Sequence, residues 1–201
     1  MRSATSDDVP DLLAVLGPEP SDEQLGMAGG DARRAHAFRA LMNARLTDPA
    51  ALAHTTVAVR DGRVCGLLQT GAEIGDRITV SLIVNVVRIF GVHVLAFARR
   101  DRTRAKVHTA APPDAFHIAE VHVRRELRNA GIGKALMMEA ERAARASGAS
   151  LMSLSTSTNN PARRLYERCG FEVVQTRTHP DYERITGVAG RILMLKRLGP
   201  I

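Results

Sequence analysis

The sequence predicts a single mixed α/β domain built on a central sheet of about six to seven strands. Short β-branched runs alternate with stretches of helical periodicity from one end to the other, the pattern of strands covered by helices. Asp61-Gly62 lies between two apolar runs, and Asp-Gly supplies the positive φ that a tight hairpin turn needs. A chain of 201 residues, 45% hydrophobic and 24% charged, has the length and composition for one core without metal or disulfide support.

The elements follow in order. Arg2 to Thr5 reads as a short strand. A helix from Ser6 or Asp7 to Leu16 follows, with Ser6 as N-cap and Gly17-Pro18 as its stop. Pro20 to Gly30 reads as loop, with a short turn as the alternative. Ala35, Phe38, Leu41, Met42 and Leu46 recur near 3.6 spacing and predict a helix from Asp31 to Leu46. Thr55–Val59 and Arg63–Leu68 form the hairpin.

Residues 78–98 are apolar and end in a cluster of cations at Arg99, Arg100, Arg102, Arg104 and Lys106. We read them as a helix packed on the body or on a partner; a strand and a membrane contact are the alternatives. A transmembrane span is disfavoured, because Asn85, Arg88 and His93 lie inside it and one central Arg costs about 2.5–3.5 kcal/mol. Beyond Pro112-Pro113 the pattern gives a strand Ile118–Val123, a helix Ile132–Ser147 with Gly148 closing it, and a strand Ala149–Thr156. A short helix Pro161–Cys169 and closing strands Phe171–Arg177 and Ala189–Leu195 complete the chain.

Net charge is +7, which favours an anionic partner: nucleic acid or a polyphosphate cofactor. Trp is absent and Tyr and Phe together number seven, little material for a base-stacking surface. The two cysteines are far apart and form no zinc or redox motif. Together with a polar N-terminus they make a reducing cytoplasmic location the expectation. The seven histidines show no metal-ligand spacing, so no metal is expected.

Chemistry concentrates in two segments. Arg128-Asn129-Ala130-Gly131-Ile132-Gly133-Lys134-Ala135 sits at a strand-to-helix junction. Its glycines let a ligand approach the backbone, and the helix's first N–H groups offer a site for a pyrophosphate. It lacks the Lys-Ser/Thr of a Walker loop and the three glycines of a dinucleotide fingerprint. The second segment, Asn159-Asn160-Pro161-Ala162-Arg163-Arg164-Leu165-Tyr166-Glu167-Arg168-Cys169-Gly170-Phe171, begins 28 residues after Gly131.

On these residues the sequence resembles the GNAT superfamily of acyl-CoA-dependent N-acetyltransferases. Arg128 to Gly133, preceded by Val123, is similar to the family's Arg/Gln-x-x-Gly-x-Gly/Ala loop. Asn159 to Phe171 is similar to its Asn-x-x-Ala-x-x-Leu-Tyr-x-x-x-Gly-Phe signature. The resemblance is close over 117–198 and looser over 1–75. It implies the GNAT fold, a mixed sheet with helices on both faces that splays where CoA lies between Ile118–Val123 and Ala149–Thr156. Val121, His122 and Val123 would be strand contacts. The backbone of Arg128, Asn129, Ala130, Gly131, Ile132, Gly133, Lys134 and Ala135 would hold the pyrophosphate. Asn159 and Ala162 would meet the pantetheine arm. Asn129 stands where a Gly is common, which requires positive φ there. Ala130 stands where many relatives carry a cation, a loss that Lys134 and Arg163 are placed to offset.

The implied reaction moves the acetyl group of acetyl-CoA to a primary amine of a small molecule or protein, by direct attack in a ternary complex. A lysine-like amine is neutral in only about 1 molecule in 2,500 at pH 7, a penalty of roughly 4.6 kcal/mol, against about 1 kcal/mol for an α-amine. Glu120 is the first candidate base and His117 the second, and a water chain or no base remains open. Tyr166 matches the family's proton donor to the departing sulfur. The alternatives are a non-catalytic acyl-CoA sensor and, from the Arg99–Lys106 cluster, a nucleic-acid binder, which is not expected. The insert at 76–113 is expected to wall the acceptor pocket or to make a dimer contact, and its apolar face favours a small or partly apolar acceptor.

Overall fold

The computed structural model describes residues 1–71 and 79–199. The strands are β1 (Arg2–Ser3), β2 (Thr55–Arg60), β3 (Arg63–Thr70), β4 (Phe116–Val123), β5 (Leu151–Ser157), β6 (Glu172–Thr178) and β7 (Gly190–Arg197). They form one seven-stranded sheet in the order β1-β2-β3-β4-β5-β7-β6. β4 and β5 run parallel, and every other pairing is antiparallel. The helices are α1 (Val9–Leu16), α2 (Asp22–Met27), α3 (Ala32–Leu46), α4 (Pro49–Leu52), α5 (Val80–Phe90), α6 (Val94–Val107), α7 (Ile132–Ala146), α8 (Arg163–Arg168) and α9 (Pro180–Thr186).

Three apolar clusters hold these layers together. One packs α7, α8 and Phe171 on the sheet through Leu136, Met137, Ala140, Tyr166, Ile118 and Met152. On the opposite face α1 covers Val57, Val64 and Leu67; strand alternation sends Leu67 and Leu68 to different sides. The third cluster joins α2, α3, α5, α6 and α9 around Met27, Ala35, Phe90, Phe97 and Tyr182.

Four local expectations change. The N-terminal helix opens as a 3-10 turn capped from Thr5, not Ser6: the Asp8 carboxylate accepts from the Thr5 N–H at 2.8 Å and from Arg2 at 2.6 Å through both oxygens. The expected loop 20–30 contains α2, capped by reciprocal hydrogen bonds between Ser21 and Gln24 at 3.2 and 3.0 Å. A Cβ on Gly26 would lie 1.9 Å from the Ile185 carbonyl oxygen, so α2 and α9 pack in backbone contact. α9 is also absent from the expectation, although Pro180 at its start and the left-handed Gly187 at its end, φ 71°, mark it. Short α4, with Asp48 as N-cap and Pro49 leading, is likewise too brief for its periodicity to show.

Within the segment 76–113, residues 80–107 form two helices. They meet at Gly91, whose φ of 51° breaks the continuity, and α6 runs on to Val107. Phe90 and Phe97 stack across the bend at 4.2 Å, with Phe38 edge-on at 6.0 and 5.4 Å. Val80–Val107 is long and apolar enough to cross a membrane by length and composition; here one side packs on the body while Val80, Val84, Val87 and Leu95 are exposed. Positions 76–78 of the expected insert lie outside the described residues.

Candidate functional site

The site begins where two neighbouring strands stop pairing. β4 and β5 hydrogen-bond only over Phe116↔Met152, His117↔Ser153 and Ile118↔Leu154. Beyond Ile118 they diverge, which opens the splayed gap expected of the sheet. β4 also carries a bulge: Gln69 faces Glu120 but Thr70 faces Ile118, so Ala119 is the extra residue. The bulge shifts the parity of the strand. Ile118 sits in the core under α7 and so do Val121 and Val123, while Ala119 and Glu120 both line a cleft on the other face. Val121 and Val123 therefore present backbone, not side chain, to the gap.

α7 starts at the mouth of this gap. Its N-cap, Gly131, has φ 81°, and no side chain caps the helix. The first backbone hydrogen bond runs from the Ala135 N–H to the Gly131 carbonyl, so the N–H groups of Ile132, Gly133 and Lys134 have no acceptor inside the helix. Asn129 has φ 64°, as its place in the loop requires. A Cβ on Gly131 would meet nothing within 4 Å, whereas one on Gly133 would lie 2.9 Å from Leu165 Cδ2. Gly131 is needed for its backbone and Gly133 for the contact between α7 and α8. Arg128, Asn129, Ala130 and Lys134 are exposed around this cradle. These features fit a pyrophosphate: exposed amides, half a positive charge from the helix, and no side chain across the opening. Arg163 is less suited to offset Ala130, because Glu167 holds it at 2.8 Å.

Tyr166 is 7% exposed in the core cluster under α7. Burial first, and the Glu120 carboxylate second, push its phenol up to about 12. Glu120 itself accepts from or shares a proton with His122 Nε2 at 2.8 Å. His117 Nδ1 meets Ser153 Oγ at 2.9 Å, and His117 does not line the cleft. Of the two candidate bases, the structure places Glu120 on the cleft. Asn159 is exposed at the end of β5. Its neighbour Asn160 bonds Thr156 Oγ1 at 2.6 Å and the Ala162 N–H at 2.9 Å, which sets the entry to α8.

The cleft holds about 290 Å³. Its floor is Gln69, Ala119 and Glu120; α2 and α3 supply Met27, Phe38, Arg39 and Met42; α6 supplies Phe97, Asp101 and Arg104; β7 supplies Arg191. As a candidate catalytic residue, sequence reasoning singles out only Glu120 among these. Gln69 escapes it, although a polar residue in a buried strand is a signal: it is 2% exposed. Its Nε2 donates to Thr55 Oγ1 at 2.9 Å, and Thr55 gives its own proton to the Ala51 carbonyl at 2.8 Å. That direction of donation fixes the amide and leaves Gln69 Oε1 with no partner among the described residues. A buried acceptor without a donor costs about 1–3 kcal/mol.

A parallel strand pair thus opens beside an uncapped helix, with a carboxylate on one side and a buried phenol on the other. The family model described as acetyltransferase (GNAT) family matches residues 22–171, and the chain belongs to that family. Among solved structures it is similar to the PaiA N-acetyltransferase of Thermoplasma acidophilum in complex with coenzyme A, with TM-score 0.59, 13% identity, and 98% and 97% of the two chains covered. It is also similar to a ribosomal-protein-alanine N-acetyltransferase from Brucella melitensis, with TM-score 0.56, 19% identity and 98% of each chain covered. The ribosomal-protein-S18-alanine N-acetyltransferase of Escherichia coli gives TM-score 0.52 at 13% identity, covering 99% and 93%. Likeness at these identities concerns the fold. No curated protein matches the sequence significantly.

Proposed function

We propose that this GNAT acetyltransferase moves the acetyl group of acetyl-CoA to a primary amine held in the 290 Å³ cleft. The observation that carries the reading is the position of the β4–β5 gap. It is bordered by the amides that open α7, by Glu120 on the cleft floor and by Tyr166 beneath α7. In this reading Ile132, Gly133 and Lys134 hold the pyrophosphate through their N–H groups, with Asn159 and Ala162 along the pantetheine arm. Glu120 takes a proton from the ammonium form of the amine, the neutral nitrogen attacks the thioester carbon, and the C–S bond breaks as that nitrogen sheds its second proton, which replaces the one Tyr166 gives up. Tyr166 donates toward the departing sulfur, so the products are an N-acetyl amide and free CoA thiol. Protonation of Glu120 removes one of the two causes that raise Tyr166, which couples base to acid within one turnover. α6 serves as a wall of the acceptor site, and the cleft's size and its Met27, Phe38 and Phe97 lining suit a small, partly apolar amine. The exposed Val84, Val87 and Leu95 are the surface we assign to a homodimer contact, and the cytoplasm is its proposed location.

The test is direct. Purified protein with acetyl-CoA and an amine panel releases free thiol in an amine-dependent way. A rise in melting temperature with CoA but no thiol release with any amine would make it a binding sensor instead.

A further inference from the structure

The cleft is lined by four guanidiniums, Arg39, Arg45, Arg104 and Arg191, against three carboxylates, Glu23, Asp101 and Glu120. Asp101 is engaged by Arg104 at 3.1 Å and Glu120 by His122 at 2.8 Å. Arg39 donates to the carbonyls of Leu16 and Gly17. Arg191 donates weakly to Ser155, at 3.4 Å to Oγ and 3.5 Å to the carbonyl oxygen. Both guanidiniums therefore hydrogen-bond neutral oxygens, and neither has a carboxylate within ion-pair distance among the described residues. Burial pulls Arg39 below its ordinary value, with Glu120 only partly opposing it. A desolvated guanidinium whose hydrogen bonds go only to neutral oxygens is a receptor for an anion.

The other half of the cleft has the opposite need. Glu120 and Gln69 are partners in the β3–β4 ladder and line the same wall. One brings a carboxylate and the other a buried carbonyl oxygen without a donor among the described residues. Two acceptors side by side suit an ammonium, which offers only donors.

We propose that the acceptor is a small primary amine that also bears an anionic group, its amine between Glu120 and Gln69 Oε1 and its anion on Arg39 and Arg191. The proposal rests on the acetyl-transfer reading and names its substrate class. A carboxylate and a phosphate monoester present the same chemistry to a guanidinium pair, and the apolar Met27, Phe38 and Phe97 leave room for an aliphatic or aromatic body.

Calorimetry on the full chain tests it without turnover. CoA is titrated first, and the result reports on the underlying reading by itself. The CoA-saturated protein then receives two pairs of amines: L-leucine against isoamylamine, and O-phosphoethanolamine against ethanolamine. The acid-bearing member of at least one pair binds tenfold or more tightly than its partner, and the pair concerned identifies the anion. Arg191→Met removes that preference while leaving the neutral amine's affinity unchanged, and Arg191→Lys restores part of it. Equal affinities within both pairs, or no amine binding at all, overturn the proposal. So does an Arg191→Met loss shared by the charged and neutral members. Should Arg191→Met fail to fold, the affinities of the wild-type protein for the two pairs are sufficient to uphold or overturn it.

Discussion

Replacing Tyr166 by Phe deletes one oxygen and leaves the ring in its place under α7. The hydroxyl makes no hydrogen bond among the described residues, so stability should move by less than about 0.5 kcal/mol. Its chemistry is another matter. A phenol pushed up to about 12 is ionised in only about 1 molecule in 100,000 at pH 7, so the donor is loaded at every physiological pH. A thiol ionises near 8.5, so complete transfer from this phenol to a thiolate is uphill by roughly 4.8 kcal/mol. What the phenol offers is a hydrogen bond to the sulfur as charge develops, with transfer made easier once Glu120 is protonated. Loss of one such donor to an oxyanion costs about 100- to 1,000-fold, and sulfur is a weaker acceptor. Tyr166→Phe should therefore lower kcat about 10- to 100-fold, or roughly 1.4–2.7 kcal/mol, with the melting temperature unchanged. Thiol release at saturating acetyl-CoA and amine, beside a thermal melt, measures both. A kcat within about twofold of wild type would refute the role.

Further outcomes follow from the packing and the charges. Phe97→Ala removes a ring stacked at 4.2 Å on Phe90 and should cost about 3–5 kcal/mol; steady-state kinetics below the lowered melting temperature should show a raised KM for the amine and an unchanged KM for acetyl-CoA. Asp8 is lowered to about 2 by Arg2, below its unfolded value, so its contribution is complete above about pH 4 and is lost as pH falls toward 2. With Arg2 half-exposed, that contribution is of order 1 kcal/mol, and urea melts at pH 6 and pH 3 should differ less in Asp8→Asn. Gly131→Ala meets no atom but must hold φ near 81°, so it should cost about 1–2 kcal/mol by chemical denaturation, while Asn129→Gly should be neutral or slightly stabilising.

Much of this was legible in the chain. The Asp61-Gly62 hairpin, the strand before Arg128 and the helix after it depend on interactions within a few residues, and there composition and spacing suffice. So did the positive φ at Asn129 and the two segments that carry the family resemblance. α2 and α9 were harder, because each is short and stands by packing on distant segments, on each other at Gly26 and Ile185 and on α3, α5 and α6. The parity of β4 was not decidable from alternation, since one bulged residue, Ala119, sends Glu120 to the cleft and Val121 to the core.

The amino-acid order alone determined the strand-loop-helix unit to which we assign the diphosphate, since every hydrogen bond it leaves open is set by local backbone conformation. The cleft to which we assign the acceptor was decided only by the folded chain. Arg39, Gln69, Phe97, Glu120 and Arg191 come from α3, β3, α6, β4 and β7, and no spacing along the sequence brings them together. Their convergence, the desolvation of Arg39 and the orphaned Gln69 oxygen arise when separate layers close on one another and exclude water.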